Sequence, residues 1–429
     1  MEISKAHVTL LPFPGMGHMI PYLGLGKLFV TLYNFKVTIF LVSLDQSSQT
    51  EFKTFISEMS NGGFVTFHAP QSVLITDIFG TDAFSVAKEF NMLKYVFTIA
   101  HAWFISLTIY TPILDKEAKG EYVHQKGPLK IPGCASVRVE DLFNPLLDRT
   151  NQQYNEYMRA GIRLRMSDGV LMNSWEELQP KTFAALRDDK LLGYVLKRPV
   201  YPVGPVVTQS GDSSKSGLLF DLLNKQPNDS VVYLSFGSGA TLSHEQMTEL
   251  AFGLELNKQR FVWVVRAPAE ESGDNAYLKG RSGDENHDQF GYLPKGFMSR
   301  IQNVGFVILD WVSRVDILSH PSIGAFMSHC GWNSTLESIL NEEFGMAVQL
   351  EVLPSNKVVG REEIQNKVRK IMVDKEGHGI RDRVNELYSA EKAMCKGGSS
   401  YRALFELAKS FEARMQLQNK KAPLPITHE

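Results

Sequence analysis

The sequence predicts an α/β fold of two Rossmann-like domains, each a doubly wound parallel sheet, facing a cleft. Three observations predict it. Continuous apolar, β-branched runs alternate with helical stretches from the first residues onward, the pattern of a parallel sheet covered on both faces. The pattern restarts after the polar segment TQSGDSSKSG at 208–217. Each half opens with a strand and a glycine-containing turn, GMGH at 15–18 and GSGA at 237–240. A chain of 429 residues is also too long for one hydrophobic core. The expected division is a first domain at 1–207, a linker at 208–217 and a second domain at 218–429.

In order along the chain, HVTLLPF reads as a strand, IPYLGLGKLFVTLY as a helix and KVTIFLVSL as a second strand. VLIT, ending at Asp77, reads as a further strand of the first half. In the second half SVVYLSF, RFVWVVR, GFVILD and IGAFMSH read as strands. The polar stretch 269–291 reads as a mobile surface loop. The tail from about Val384 to Leu417 is amphipathic and long enough to pack back across the first domain. Ligands of such sheets bind outside the carboxyl ends of the strands, so residues just after strands are the functional candidates.

Composition removes several function classes. The hydrophobic fraction of 43% and charged fraction of 21% are those of a soluble globular protein. The net charge of −2, without a long basic run, leaves no electrostatic footprint for nucleic acid. No apolar run has the length of a membrane span, and MEISKAH lacks the pattern of a signal peptide. The three cysteines, Cys134, Cys330 and Cys395, have no metal-ligand spacing and fit a reducing cytoplasm. No Asp-x-Asp pair suggests a metal held by paired carboxylates. The glycine turns lack the third glycine of a dinucleotide fingerprint, because Ile20 and Leu242 stand there.

The densest chemistry lies in WVSRVDILSHPSIGAFMSHCGWNSTLE, Trp311 to Glu337. SIGAFMSH reads as a strand, GWN as a turn and STLESIL as the start of a helix. Asn333 or Ser334 is the expected N-cap, with Glu337 at capping-box spacing from Ser334. A helix N-terminus carries free N–H groups and partial positive charge, which suit phosphate. His329, Asn333 and Ser334 add donors at that end, and Trp311 offers a flat face for a nucleobase. An ordinary helix cap beside two core tryptophans explains the same residues equally well. His18, after the first strand, reads as a general base or as a structural imidazole. Asp77 reads as a partner for a base or as a cap for FGTDAFSVA.

HCGWNSTLES, with the upstream Trp and LSHPSIGAF, resembles the signature box of plant UDP-dependent glycosyltransferases. HVTLLPFPGMGHMIPYLGLGKLF, VLITDIFGTDAF and SVVYLSFGSGATLSHEQMTELAFGLE resemble the same family's opening, catalytic-aspartate and nucleotide-sugar segments. The resemblance covers essentially the whole chain and is nearest to the branch that glucosylates hydroquinone and lignin-precursor alcohols. It implies the GT-B fold, with an acceptor-binding first domain and a UDP-sugar-binding second domain. It also implies a cytoplasmic, monomeric, inverting enzyme that moves glucose from UDP-glucose to a small phenolic acceptor, of hydroquinone, monolignol or flavonoid type, without a cofactor or metal. By resemblance His18 is the general base and Asp77 stabilises its imidazolium. His329, Asn333, Ser334 and Ser238 face the diphosphate. Trp311 stacks on uracil, Glu337 binds the ribose, Trp332 lies beside the sugar, and Gly331 belongs to the same donor-binding set.

The chain departs from the family pattern in three places. After TLESIL the Gly-Val-Pro turn, the Trp-Pro strand and the acidic-Gln pair that holds sugar hydroxyls have no counterpart, and NEEFGMAVQLEVLPSN follows directly. A second gap lies between GGFVTFHAP and QSVLITD. The usual Trp-Ala-Pro-Gln reads Trp311-Val312-Ser313-Arg314 here. Two other classes therefore stand beside the transferase: a catalytically impaired UDP-sugar or phenol-binding paralogue, and a nicotinamide-dependent oxidoreductase with Asp45 after its second strand. The incomplete glycine fingerprints and the HCGWNS box argue against the last.

Overall fold

The structure is a computed structural model that describes residues 6–41, 72–139, 142, 144–207, 217–237, 242–266, 268, 291–309, 312–340, 358–375 and 389–421. The chain divides into two compact units, Met1–Thr208 with Lys392–Glu429, and Gln209–Glu391.

The first unit holds strands β1 (His7–Leu11), β2 (Lys36–Ile39), β3 (Ser72–Thr76), β4 (Leu93–Thr98), β5 (Gly169–Met172) and β6 (Val200–Pro202). They form one sheet in the order β2-β1-β3-β4-β5-β6, with every neighbour parallel. The second unit holds β7 (Val231–Ser235), β8 (Arg260–Val264), β9 (Gly305–Ile308) and β10 (Ile323–Ser328), in the parallel order β10-β7-β8-β9. The helices used below are α1 (Met16–Tyr33), α2 (Ala102–Glu117), α3 (Gln152–Leu164), α4 (His244–Asn257), α5 (Arg314–Leu318), α6 (Trp332–Leu340), α7 (Arg361–Met372) and α8 (Ser399–Lys421).

The strand centres are mostly apolar because both faces are covered. In β3, Val73 and Ile75 join one core cluster and Leu74 the other. Val96 and Phe97 of β4, and Val170 and Leu171 of β5, split the same way. This is the period-two alternation of a strand buried on both sides. α2 and α3 fill one face with Ile105, Ile109 and Leu164. α1 and α8 fill the other with Tyr22, Phe29, Leu404 and Phe411.

Both sheets reverse direction once. β1 leads outward to β2, and β3 then returns to the opposite side of β1. β7 leads outward through β8 to β9, and β10 returns to the opposite side of β7. The two reversals open crevices at the carboxyl ends of β1 and β3 and of β7 and β10, where ligands of such sheets bind.

Several boundaries differ from the sequence reading. The first helix begins at Met16 rather than Ile20, so His18 stands in its first turn. The helix after GWN begins at Trp332, so neither Asn333 nor Ser334 is its N-cap. The tail helix runs over Ser399–Lys421 and packs with the first unit, where Phe411 meets Tyr95 edge-on at 5.1 Å and Phe29 at 6.0 Å. Its first turn is pinned by Ser400, which donates to Gly204 O, and by Ser399, which donates to Glu177 Oε2 at 2.7 Å. The second strand is described only to residue 41. Asp45, the linker at 208–216 and the loop at 269–290 lie outside the described residues, as do 42–71 and 341–357, which adjoin the two gaps in the family pattern.

Phe411 is fully buried. Phe411→Ala is expected to destabilise the first unit by about 3–5 kcal/mol through the cavity it leaves. Hydrogen exchange should show the loss in first-unit amides.

His101 caps α2 with its ring: Nδ1 accepts from Phe104 N at 3.0 Å. Burial lowers its pKa to about 4. The folded pKa lies below the unfolded value of about 6.5, so the neutral ring contributes stability above that value. Roughly 3 kcal/mol is lost as pH falls from 6.5 towards 4. His101→Asn keeps a cap that does not titrate. The stability difference between pH 7 and pH 4 should therefore shrink in this variant, as measured by urea titration.

Candidate active site

One candidate site, in the first unit, is built at the β1/β3 reversal. Leu11 and Thr76 are the last paired residues of these strands, and Asp77 N donates to Leu11 O at 3.1 Å. Asp77 therefore leaves the sheet directly beside the end of β1. After β1 the chain turns through Pro12 and Phe13 to Gly15, whose φ of 126° suits glycine. Gly15 O accepts from His18 N and Met19 N, which starts α1 and lifts His18 over the strand end.

His18 Nδ1 donates to Asp77 Oδ2 at 2.7 Å. Asp77 is 1% exposed and His18 is 32% exposed at its side chain, so the carboxylate is sealed while the imidazole reaches the surface. Asp77 Oδ1 accepts from Phe79 N at 3.1 Å, capping the 3₁₀ turn Ile78–Ala83. The two readings of Asp77 are thus both realised, one on each oxygen. Any side chain at Gly80 would strike Thr76 Oγ1, so glycine permits this tight return. With Nδ1 donating to Asp77, Nε2 presents its lone pair outward, the arrangement of a general base held by a carboxylate. Phe13 and Phe79 flank His18, with ring centroids at 5.5 and 6.2 Å, and lie 5.2 Å from each other. They are 36% and 56% exposed, a large apolar surface beside a polar pair.

A second candidate site, in the second unit, is built at the β7/β10 reversal. Ser235 and Ser328 pair at the strand ends. Beyond them Gly237 takes φ 85°, and Cys330 takes φ 55°, the turn that leads into α6. His329 is packed between the two glycines. A Cβ on Gly237 would lie 2.7 Å from its Cε1, and one on Gly331 would strike its Nε2. Gly331 O accepts the first helical bond from Thr335 N at 3.0 Å, so Gly331 caps α6. Trp332 and Asn333 are half-buried in the first turn, and Ser334 is buried there. Ser334 Oγ accepts from Arg314 Nη1 at 2.9 Å.

Burial lowers the His329 pKa, and the Arg314 guanidinium lowers it further. The imidazole is therefore neutral at neutral pH, and the fixed positive charge of this site is Arg314. Burial also raises the Cys330 thiol pKa, which keeps it protonated.

The structure brings His18 to Asp77, and His329 to Gly331 and the first turn of α6 with Trp332, Asn333 and Ser334. Ser238 and Trp311 lie outside the described residues, and Glu337 is described only as a residue of α6. In the sequence Phe13, Phe79, Trp103 and Tyr110 read as an aromatic-lined pocket or as plain core; Phe13 and Phe79 reach His18. Trp103 instead donates to Ala135 O at 2.8 Å, and Tyr110 packs on the first core. Sequence reading noted Arg314 only as a departure. Its signal was a cation in place of a neutral amide within the box. Among the described residues no group of three or more His, Cys, Asp or Glu side chains is set to hold a metal, and no helix is long and apolar enough to cross a membrane.

The family described as UDP-glucoronosyl and UDP-glucosyl transferase matches residues 208–348. The chain is 47% identical over 482 residues to anthocyanidin 3-O-glucosyltransferase 5 of Manihot esculenta, with 98% of each chain covered. It belongs to the plant UDP-glycosyltransferase family. UDP-glycosyltransferase 72D1 of Arabidopsis thaliana is 41% identical, over 95% of this chain and 99% of its own. Hydroquinone glucosyltransferase of Rauvolfia serpentina is 33% identical, over 95% and 98%. This corrects the expected placement nearest the hydroquinone branch. The crystal structure of TcCGT1 in complex with UDP superposes with a TM-score of 0.84 at 38% identity, covering 96% of this chain and all of that one. Phytolacca americana UGT2, complexed with UDP-2fluoro-glucose and pterostilbene, gives 0.75 at 27% identity, covering 96% and 100%. These establish a two-domain GT-B glycosyltransferase whose relatives bind a UDP-sugar. The 482 matched residues exceed the 429 of this chain, so the cassava relative carries internal residues that have no counterpart here.

Gly331→Ala places a methyl group against the His329 ring. The ring is expected to move outward and its pKa to rise towards the ordinary value. Proton NMR titration of the His329 ring checks this; an unmoved resonance would show that the cradle does not set its position.

Proposed function

We propose that the protein transfers glucose from UDP-glucose to the hydroxyl of a small phenolic acceptor, with inversion at the anomeric carbon. The observation that carries the reading is the His18–Asp77 pair, held at 2.7 Å at the end of β1 in a chain of this family. His18 Nε2 takes the acceptor proton as the oxygen forms its bond to the anomeric carbon. The bond from that carbon to the diphosphate breaks, and UDP leaves. Asp77 stabilises the imidazolium that results. A phenol with a pKa of about 10 is almost wholly protonated at neutral pH, which is why a positioned base matters.

Phe13 and Phe79 support an aromatic acceptor, since their exposed rings offer faces and edges beside the base. A flavonoid-type acceptor is favoured by the likeness to an anthocyanidin glucosyltransferase, and the simpler phenols named for the other relatives belong to the same chemical class. On the donor side, His329 and the N-terminus of α6, with Asn333 and Ser334, receive the diphosphate. Ser238 assists, Trp311 stacks on uracil, Glu337 binds the ribose and Trp332 lies at the sugar. The free cysteines Cys134, Cys330 and Cys395 fit a cytoplasmic monomer. An inactive binding paralogue finds no support in the relatives, all named as transferases.

His18→Ala is expected to lower kcat/KM on a high-pKa phenol by about 10²–10⁴-fold. The loss should be smaller on an acidic nitrophenol, already ionised at neutral pH. Asp77→Asn should cost less than His18→Ala, and both variants should bind UDP like the wild type in calorimetry. A His18→Ala enzyme at full rate on the high-pKa phenol overturns the assignment.

A further inference from the structure

We propose that Arg314 is an anion-binding residue of the donor site, supplying the charge that faces the diphosphate of the sugar nucleotide. The inference rests on the reading of this unit as a UDP-sugar site. Arg314 opens α5 and stands where the family pattern carries an uncharged glutamine. Its Nη1 donates to Ser334 Oγ at 2.9 Å. Ser334 is 2% exposed and belongs to the first turn of α6, so this bond fixes the guanidinium beside the one helix start that the turn after β10 creates. The half-buried side chain keeps the charge at that surface. A guanidinium presents five N–H donors in a planar fork and pairs with phosphate oxygens in a bidentate manner.

The neighbouring imidazole supports the assignment. His329 stands close enough to Arg314 to feel its field, which adds to burial in keeping the ring neutral. A neutral His329 gives the diphosphate a hydrogen bond without a full charge. The net charge that a diphosphate needs therefore comes from Arg314 and the α6 dipole. Three consequences follow for this chain. UDP is held more tightly than its uridine part alone accounts for. Donor binding weakens with salt. Released UDP inhibits turnover more strongly than it does when glutamine stands at this position.

Calorimetric titration of UDP, with uridine measured by competition, at 50 and 300 mM NaCl tests this on the full chain. Arg314→Gln restores the family's residue and retains a donor for Ser334. It is expected to weaken UDP about tenfold at low salt, to leave uridine within about twofold, and to flatten the salt response. Arg314→Lys keeps the charge without the fork; it should keep the salt response and lose part of the affinity. Unchanged or tighter UDP binding in Arg314→Gln overturns the proposal. So does an equal loss for UDP and uridine, which would mark Arg314 as packing between α5 and α6, or a flat salt response in Arg314→Lys. A wild-type chain that binds no UDP at all overturns the donor-site reading itself.

Discussion

The reversal of strand order in each parallel sheet is the constraint on which the rest depends. A parallel strand must be followed by a crossover, and here the chain leaves β1 and β7 towards one side of the sheet and returns on the other. The carboxyl ends of the central strands are then left uncovered by their own connections. In the first unit this leaves His18 and Asp77 side by side, although they are 59 residues apart. In the second it leaves His329 against Gly237, where a larger residue would collide with the ring. Neither contact is set by local sequence. Each follows from two strand ends being neighbours.

The two halves solve different electrostatic problems. The first places a sealed carboxylate under an open imidazole. Both Asp77 oxygens are occupied, one by the backbone and one by His18, which fixes the ring as well as its charge. The second half is built differently. There burial and Arg314 hold His329 neutral, and the guanidinium is the constant cation. The imidazole of the second unit is thus kept neutral by its surroundings, while that of the first is held by a carboxylate.

Much of this was legible in the sequence, and the limits have physical causes. The alternation of apolar runs with helices gave the parallel sheets, because burial on both faces leaves no other pattern. HCGWNS marked the turn after β10 and the start of α6. Helix starts were misread by two to four residues because tertiary contacts set them. Gly331 caps α6 since a Cβ there would strike His329, and no propensity of Asn333 or Ser334 competes with that collision. Gly15, with its positive φ, starts α1 ahead of the apolar run that suggested a helix from Ile20. Phe13 and Phe79 could be read in the sequence as core or as pocket wall, since aromatic residues usually bury. Only the sheet topology shows that both stand past strand ends, where there is no core to enter.

The same topology bears on the departures from the family pattern. One gap precedes β3, whose crossover from β2 runs through residues outside the described set. The other follows α6, beyond β10. Among the described residues β2 and β10 are the outer strands on the reversing side of their sheets. A parallel sheet that loses a strand at its margin exposes an edge, and that costs stability. It does not move the reversal point, which lies between β1 and β3 or between β7 and β10. The contacts His18–Asp77 and His329–Gly237 depend on those inner pairs alone. Shortening at the margins therefore leaves in place the strand ends that carry His18, Asp77 and His329.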